Sequence, residues 1–141
     1  MDPGAQIDDY TGEGSSGLRE AMARPHAAGR VRIIDGDTFE MQGETIRISN
    51  IDAPERAPRA KCAAEAALAE VARTELDKIL GASWAGPEGS TILPTLQREG
   101  QDRYGRTLAR VIGVDGDDVG ETLVARNMAV RWTGRRAEWC A

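Results

Sequence analysis

Apolar and polar residues alternate over residues 38–41 and 45–51. Phe39 and Met41 share one face of the first stretch, and Ile46 and Ile48 share one face of the second, with Arg47 and Ser49 opposite. A period of two is the mark of a half-buried strand. Gln42-Gly43-Glu44 between them has hairpin-turn chemistry, and residues 30–34 read as a strand entering Asp35-Gly36-Asp37. Setting Phe39 opposite Ile46 brings Asp37 near Ile48. Strict alternation then puts Asp37 and Arg47 on opposite faces, unless a bulge breaks the pleat near Gly36.

The period becomes helical over residues 62–80, where Leu68, Ala72, Leu76, Ile79 and Leu80 form an apolar stripe and Gly81 supplies a stop. Glu65, Glu70, Glu75 and Asp77 are expected on the solvated face of this helix. Residues 91–98 read as a strand whose Pro94 demands an edge or a bulge. Residues 107–114 read as a stronger strand ended by Asp115-Gly116-Asp117. Asp115, Asp117 and Asp118 resemble a calcium loop only superficially, since the spaced downstream ligands and the closing Glu are missing, and turn chemistry accounts for them. Residues 118–128 carry Val119, Leu123 and Val124 as a second helix, with Asn127 suited to a left-handed end. Three strands, a helix, two strands and a helix predict a mainly β, α+β fold: a small closed barrel with two or three flanking helices.

At 141 residues and 40% hydrophobic content the chain is long enough for one domain with its own core. No apolar run approaches the roughly 20 residues of a membrane span, so no membrane partner is expected. Residues 1–29 read as a tail, with Gly, Ser and Asp concentrated in the first seventeen and a short helix conceivable before Pro25; residues 30–141 form the expected domain. The tail lacks a basic stretch followed by an apolar core, the pattern of a secretory signal. It holds His26, the one histidine, which excludes a histidine-built metal cluster. The net charge of −5 does not suit a general nucleic-acid binder. Sixteen of the eighteen basic residues are nevertheless Arg, the better bidentate phosphate ligand. Arg56, Arg59 and Lys61 read equally well as phosphate contacts and as solvated loop charges.

Cys62 and Cys140 do not have metal-site spacing. A bridge between them would close a long loop and contribute about 4 kcal/mol on the entropic account. It would also anchor a terminus that otherwise frays, and two separate buried thiols are the alternative.

The chemistry lies in three segments: Asp35-Gly36-Asp37-Thr38, Arg47 through Asp52-Ala53-Pro54-Glu55, and Asp102-Arg103-Tyr104-Gly105-Arg106. Carboxylates hold hard divalent cations, and arginines grip phosphate with a planar fork. Metal-assisted cleavage of a phosphodiester requires both.

In order and separation, these segments resemble the staphylococcal nuclease (thermonuclease) family over residues 30–132. The resemblance implies a five-stranded OB-fold Greek-key barrel and calcium-dependent hydrolysis of single- or double-stranded DNA and RNA to 5′-hydroxyl and 3′-phosphate ends. It implies Ca2+ on Asp37, Asp52 and the Ala53 carbonyl. Glu55 would activate or position water, Arg47 and Arg106 would meet the reacting phosphate, and Arg103 and Tyr104 would contact the nucleotide. Cys62 with Trp139-Cys140 resembles exported bacterial members with an internal disulfide, which, with the scarcity of calcium in the cytosol, implies the periplasm or the cell exterior; a monomer is expected. Two features depart from the best-known member, which is basic and carries a tyrosine pair on the substrate base where Trp132 and Thr133 stand here. The competing expectation is an inactive OB module that binds nucleic acid or a protein partner. Aromatic content of only 4% weakens it, as do the intact metal ligands.

Overall fold

The computed structural model describes residues 28–82 and 91–140. The expectations for residues 1–27, including the short helix and His26, and for residues 83–90 lie outside the described residues. Strand β1 (Ala28–Gly29) is followed by β2 (Val31–Asp35), β3 (Thr38–Met41), β4 (Glu44–Ile48) and β5 (Ile51–Asp52). Then come helix α1 (Ala63–Leu80), β6 (Thr91–Ile92), β7 (Thr95–Gln101), β8 (Thr107–Ile112), α2 (Val119–Ala125) and β9 (Val130–Arg131).

Gln42 and Gly43 both adopt left-handed backbone, at φ 51° and 78°. A two-residue turn of this hand matches the twist of the strands it joins. It sets the register that the alternation requires, Phe39 opposite Ile46 and Thr38 opposite Arg47. The five-stranded sheet runs in the order β2-β3-β4-β8-β7, with β4 and β8 parallel and the other pairs antiparallel. β1 pairs with β6 through Ala28–Ile92 and Gly29–Thr91, joining the segments that lead into the two edge strands. The result is the five-stranded Greek-key barrel of an OB fold, partly open where the sequence predicts a closed one, because among the described residues the edge strands β2 and β7 do not pair with each other. Ala28 and Gly29, expected at the end of a tail, thus take part in it.

The two expected long strands each divide. Residues 91–98 break at Leu93-Pro94, where Leu93 turns into the core and proline has no N–H for a ladder. Residues 45–51 break at Ser49-Asn50, and the short β5 pairs instead with β9, Asp52 opposite Val130. The pleat breaks in the first hairpin at Ile34, slightly before Gly36, since Ile33 pairs with Phe39 while Asp35 already pairs with Thr38. Gly36 and Asp37 then form the turn, outside the strict alternation.

Helix α1 is rotated relative to the expected stripe. Its buried residues are Glu65, Ala69, Ala72, Leu76 and Leu80, whereas Leu68 is 43% exposed. The small residues matter here. A Cβ on Gly36 would lie 2.7 Å from Ala72 Cβ and 3.1 Å from Ala53 Cβ, so the Asp35–Asp37 turn packs directly on the helix. Gly81 ends α1 in left-handed conformation at φ 69°. Asp118 caps α2 by accepting from Glu121 N at 3.0 Å, and Asp115 accepts from Asp117 N at 3.0 Å, the turn chemistry expected of that acidic run. Phe39, Ile46, Ile48, Ile51, Leu76, Val111, Val119 and Leu123 form the fully buried core. A disulfide joins Cys62 to Cys140 with 6.2 Å between their Cα atoms, tying the chain's last residues to the start of α1.

Candidate active site

The Asp35–Asp37 turn, the end of β4, β5 and the loop behind it converge beside α1. Asp37 is buried; its Oδ1 accepts from Thr38 Oγ1 at 2.9 Å and its Oδ2 from Ala53 N at 3.1 Å. Asp52 is 1% exposed, and its Oδ2 accepts from Ala137 N at 2.7 Å. Its buried Oδ1 has no aligned hydrogen-bond donor, although Arg136 Nη1 lies 2.9 Å away and Arg47 Nη2 3.9 Å away. Burial raises the pKa of Asp52; Ala137 N–H and Arg136 oppose that rise, and the charge of Asp37 adds to it. Asp35 is also raised, first by burial and then by Asp37, with Arg59 opposing.

Arg47 is held from both sides. Its Nη1 donates to the carbonyls of Ile48 and Ile51, the latter at 2.9 Å, and its Nη2 lies 3.6 Å from Asp37 Oδ2. The Trp132 ring covers the guanidinium at 5.6 Å. Across the cleft, Asp102 organises the tight turn before β8 by accepting from Tyr104 N, Arg106 N and Arg106 Nε, at 2.9, 3.0 and 2.7 Å. Burial pulls the pKa of Asp102 up, but the bonds from Arg106 and Tyr104 outweigh it and leave the value lowered. Gly105 sits at φ 83°, where a side chain would be strained. Tyr104, 69% exposed, has two guanidinium groups against its ring, Arg103 at 5.0 Å and Arg106 at 5.6 Å from the centroid.

Asp37, Arg47, Glu55, Arg103, Tyr104 and Arg106 therefore line one cleft of about 960 Å³, with Trp132 and Arg136 as further walls. Asp52 and Ala53 lie buried behind it, both in contact with Arg136. Arg56 pairs with Glu70 and the Ile34 carbonyl, and Arg59, a further wall of the cleft, pairs with Glu55 and Asp35.

Two further residues belong to the site that sequence patterning does not place there. Glu65, expected in solvent, is 3% exposed; its two oxygens accept from Glu55 N and Lys61 N, each at 2.9 Å. Those bonds overcome the effect of burial and hold its pKa below the ordinary value. A local signal exists: Cys62 Sγ accepts from Glu65 N at 3.4 Å, in the spacing of a capping box, in which the third helical residue turns back toward the cap. Arg136 has no such local signal. Its Nη1 lies 2.8 Å from Glu55 Oε2, and its Nη2 donates to Ala53 O at 3.3 Å and lies 3.9 Å from Glu65 Oε2.

Two carboxylates and a carbonyl are hard oxygen donors suited to calcium, and a buried Asp52 oxygen without a donor fits a cation. Among the described residues no three His, Cys, Asp or Glu side chains gather to hold a metal, so water or substrate would complete the shell of any ion there.

Residues 45–138 match the family described as staphylococcal nuclease homologue. That segment contains Arg47, Asp52, Glu55, Arg106 and Arg136, and Asp37 lies just before it. The chain is also 33% identical over 120 residues to the succinoglycan biosynthesis protein ExoI of Rhizobium meliloti (strain 1021), an alignment that covers 79% of this chain and 55% of that protein. The chain thus spans about half the length of the curated relative it matches. The family match supports a nuclease-like function in general. Because the matched segment is well over half its length, the chain belongs to the staphylococcal nuclease homologue family.

Proposed function

We propose that the protein is a calcium-dependent phosphodiesterase that hydrolyses DNA and RNA and leaves 5′-hydroxyl and 3′-phosphate ends. The observation that supports this reading is the convergence of Asp37, Glu55, Arg47 and Arg106 on one cleft, with Asp52 and the Ala53 carbonyl directly behind. Asp37, Asp52 and the Ala53 carbonyl would hold the ion. When bound, calcium neutralises charge on the phosphoryl oxygens and lowers the cost of forming hydroxide.

The chain's own residues do the rest. Glu55 orients the attacking water and takes its proton as the oxygen closes on phosphorus. The P–O5′ bond breaks, and the departing 5′ oxygen takes a proton from solvent water to become the 5′-hydroxyl. Arg47 and Arg106 approach the phosphate from opposite walls and stabilise the extra charge of the five-coordinate transition state, an effect worth several kcal/mol where water is excluded. Arg47 is already oriented by two carbonyls, so little ordering remains for it at the moment of reaction. Arg103 and Tyr104 form a nucleotide contact at the rim. The disulfide supports placing the protein in an oxidising compartment, the periplasm or the exterior.

One observation favours a second reading, an inactive binding module: Arg136 already neutralises Asp52 and Glu55. Incubating the protein with single-stranded DNA and with RNA, in calcium or in EDTA, followed by end-group analysis, separates the two. Calcium-dependent cleavage to 3′-phosphate ends supports the hydrolase, and intact substrate in calcium overturns it.

A further inference from the structure

We infer that Arg136 is a built-in competitor for the cation: its guanidinium occupies Asp52, Ala53 O and Glu55, and a divalent ion must displace it to load. This rests on the metal reading of the site above. One guanidinium touches three of the oxygens that the metal and its water would use, at 2.9 Å from Asp52 Oδ1, 3.3 Å from Ala53 O and 2.8 Å from Glu55 Oε2. A cation among these oxygens and a guanidinium in van der Waals contact with them repel each other strongly in a partly dry site.

The arrangement is built for an exchange. Asp52 divides its two oxygens between the backbone and the side chain of the C-terminal strap. Oδ2 is held by Ala137 N–H, and Oδ1 meets the charges of Arg136 at 2.9 Å and of Arg47 at 3.9 Å, with no aligned donor. The backbone contact can persist while the guanidinium leaves. The Arg136 side chain is already 40% exposed, so it can swing into water without opening a cavity in the core. The local charge favours the incoming ion. Asp35, Asp37, Asp52, Glu55 and Glu65 face Arg47, Arg59 and Arg136, with Arg56 beside Asp35 and Lys61 beside Glu65, and withdrawing Arg136 leaves the carboxylates in excess of the remaining positive groups. The Cys62–Cys140 bridge closes the strap onto α1 only four residues beyond Arg136. It keeps the arginine at high effective concentration over the carboxylates, as a short tether does for any intramolecular ligand.

Calcium titration by calorimetry tests this on the intact, oxidised chain, with Arg136→Gln, the bridge-free Cys62→Ser/Cys140→Ser pair, the combination of the two, and Asp52→Asn. The expected result is that Arg136→Gln binds calcium about tenfold or more tightly than wild type, since a neighbouring positive charge is gone, and that Asp52→Asn binds it more weakly. Loss of the bridge should tighten binding in the wild-type background and leave the Arg136→Gln background unchanged. Equal or weaker affinity in Arg136→Gln overturns the inference while the metal reading stands. A bridge effect of the same size in both backgrounds overturns the tethering of Arg136. If neither wild type nor Arg136→Gln binds calcium, the metal reading itself is sunk and the inference with it.

Discussion

Glu65 Oε2 accepts the backbone N–H of Glu55 at 2.9 Å, so a buried carboxylate on α1 fixes the peptide that carries the proposed water-activating residue. Its other oxygen holds Lys61 N, and Arg136 and Lys61 are its charged neighbours. A glutamine there keeps one acceptor and turns an amide toward the other N–H. Glu65→Gln should therefore cost about 1–3 kcal/mol, the cost of leaving a buried donor unsatisfied. The folded-state pKa of Glu65 is lowered, so its stabilisation is present in full above the unfolded value and disappears as pH falls through the folded one. Thermal melts of both proteins should differ most near neutrality and converge as pH drops below the ordinary value of 4.5. A difference that widens in acid would refute this account.

Glu55→Gln separates catalysis from binding. Cleavage of a short labelled oligonucleotide in single turnover should slow by about 10²–10⁴-fold, the usual contribution of a placed general base. Nucleotide binding in calcium should survive, because both arginines and the metal ligands remain. Turnover at the wild-type rate removes Glu55 from the mechanism.

Arg47→Lys and Arg106→Lys keep the charge and lose the fork. Each should lose most of its activity. Arg47→Lys should also be the less stable of the two. Arg47 is buried and satisfies the carbonyls of Ile48 and Ile51, whereas the main partner of Arg106, Asp102, keeps its two backbone N–H bonds. Initial rates and melting temperatures measured side by side check both halves, and near-wild-type rates would make the arginines structural only.

Asp37→Ala removes a carboxylate that also accepts from Ala53 N. Calcium binding by calorimetry should fall below detection and cleavage should cease, with the circular dichroism of the fold retained. Unchanged calcium affinity would remove Asp37 from the ligand set.

Reducing the Cys62–Cys140 bridge should lower the melting temperature by about 10 °C or more, given about 4–5 kcal/mol from loop entropy. Hydrogen exchange should quicken first after Trp132, where Ala137 N–H is bound to Asp52. Two reactive thiols per chain in the denatured, unreduced protein would rule the bridge out.

Local chemistry is legible in the amino-acid sequence alone. The Gln42-Gly43 turn, the Phe39–Ile46 register, the Gly81 and Asn127 helix ends and the Asp115–Asp118 turn each depend on neighbours a few residues apart, and short-range sterics and hydrogen bonding decide them. The three segments that bear the proposed site are legible for the same reason, since each is contiguous. What tertiary structure decides is which distant groups meet. α1 buries Glu65 and Ala69 and leaves Leu68 43% exposed, and its Ala72 lies directly under Gly36; which face of the helix meets the opposing surface is information that helical periodicity does not contain. Arg136, beside Arg135, carries no local pattern that marks it for a site. It becomes a partner of Asp52 and Glu55 only once the β5–β9 pairing and the disulfide bring the last residues back across the cleft. Burial then makes that meeting count, because two charges that water would screen along an open chain interact strongly beside a carboxylate that is 1% exposed.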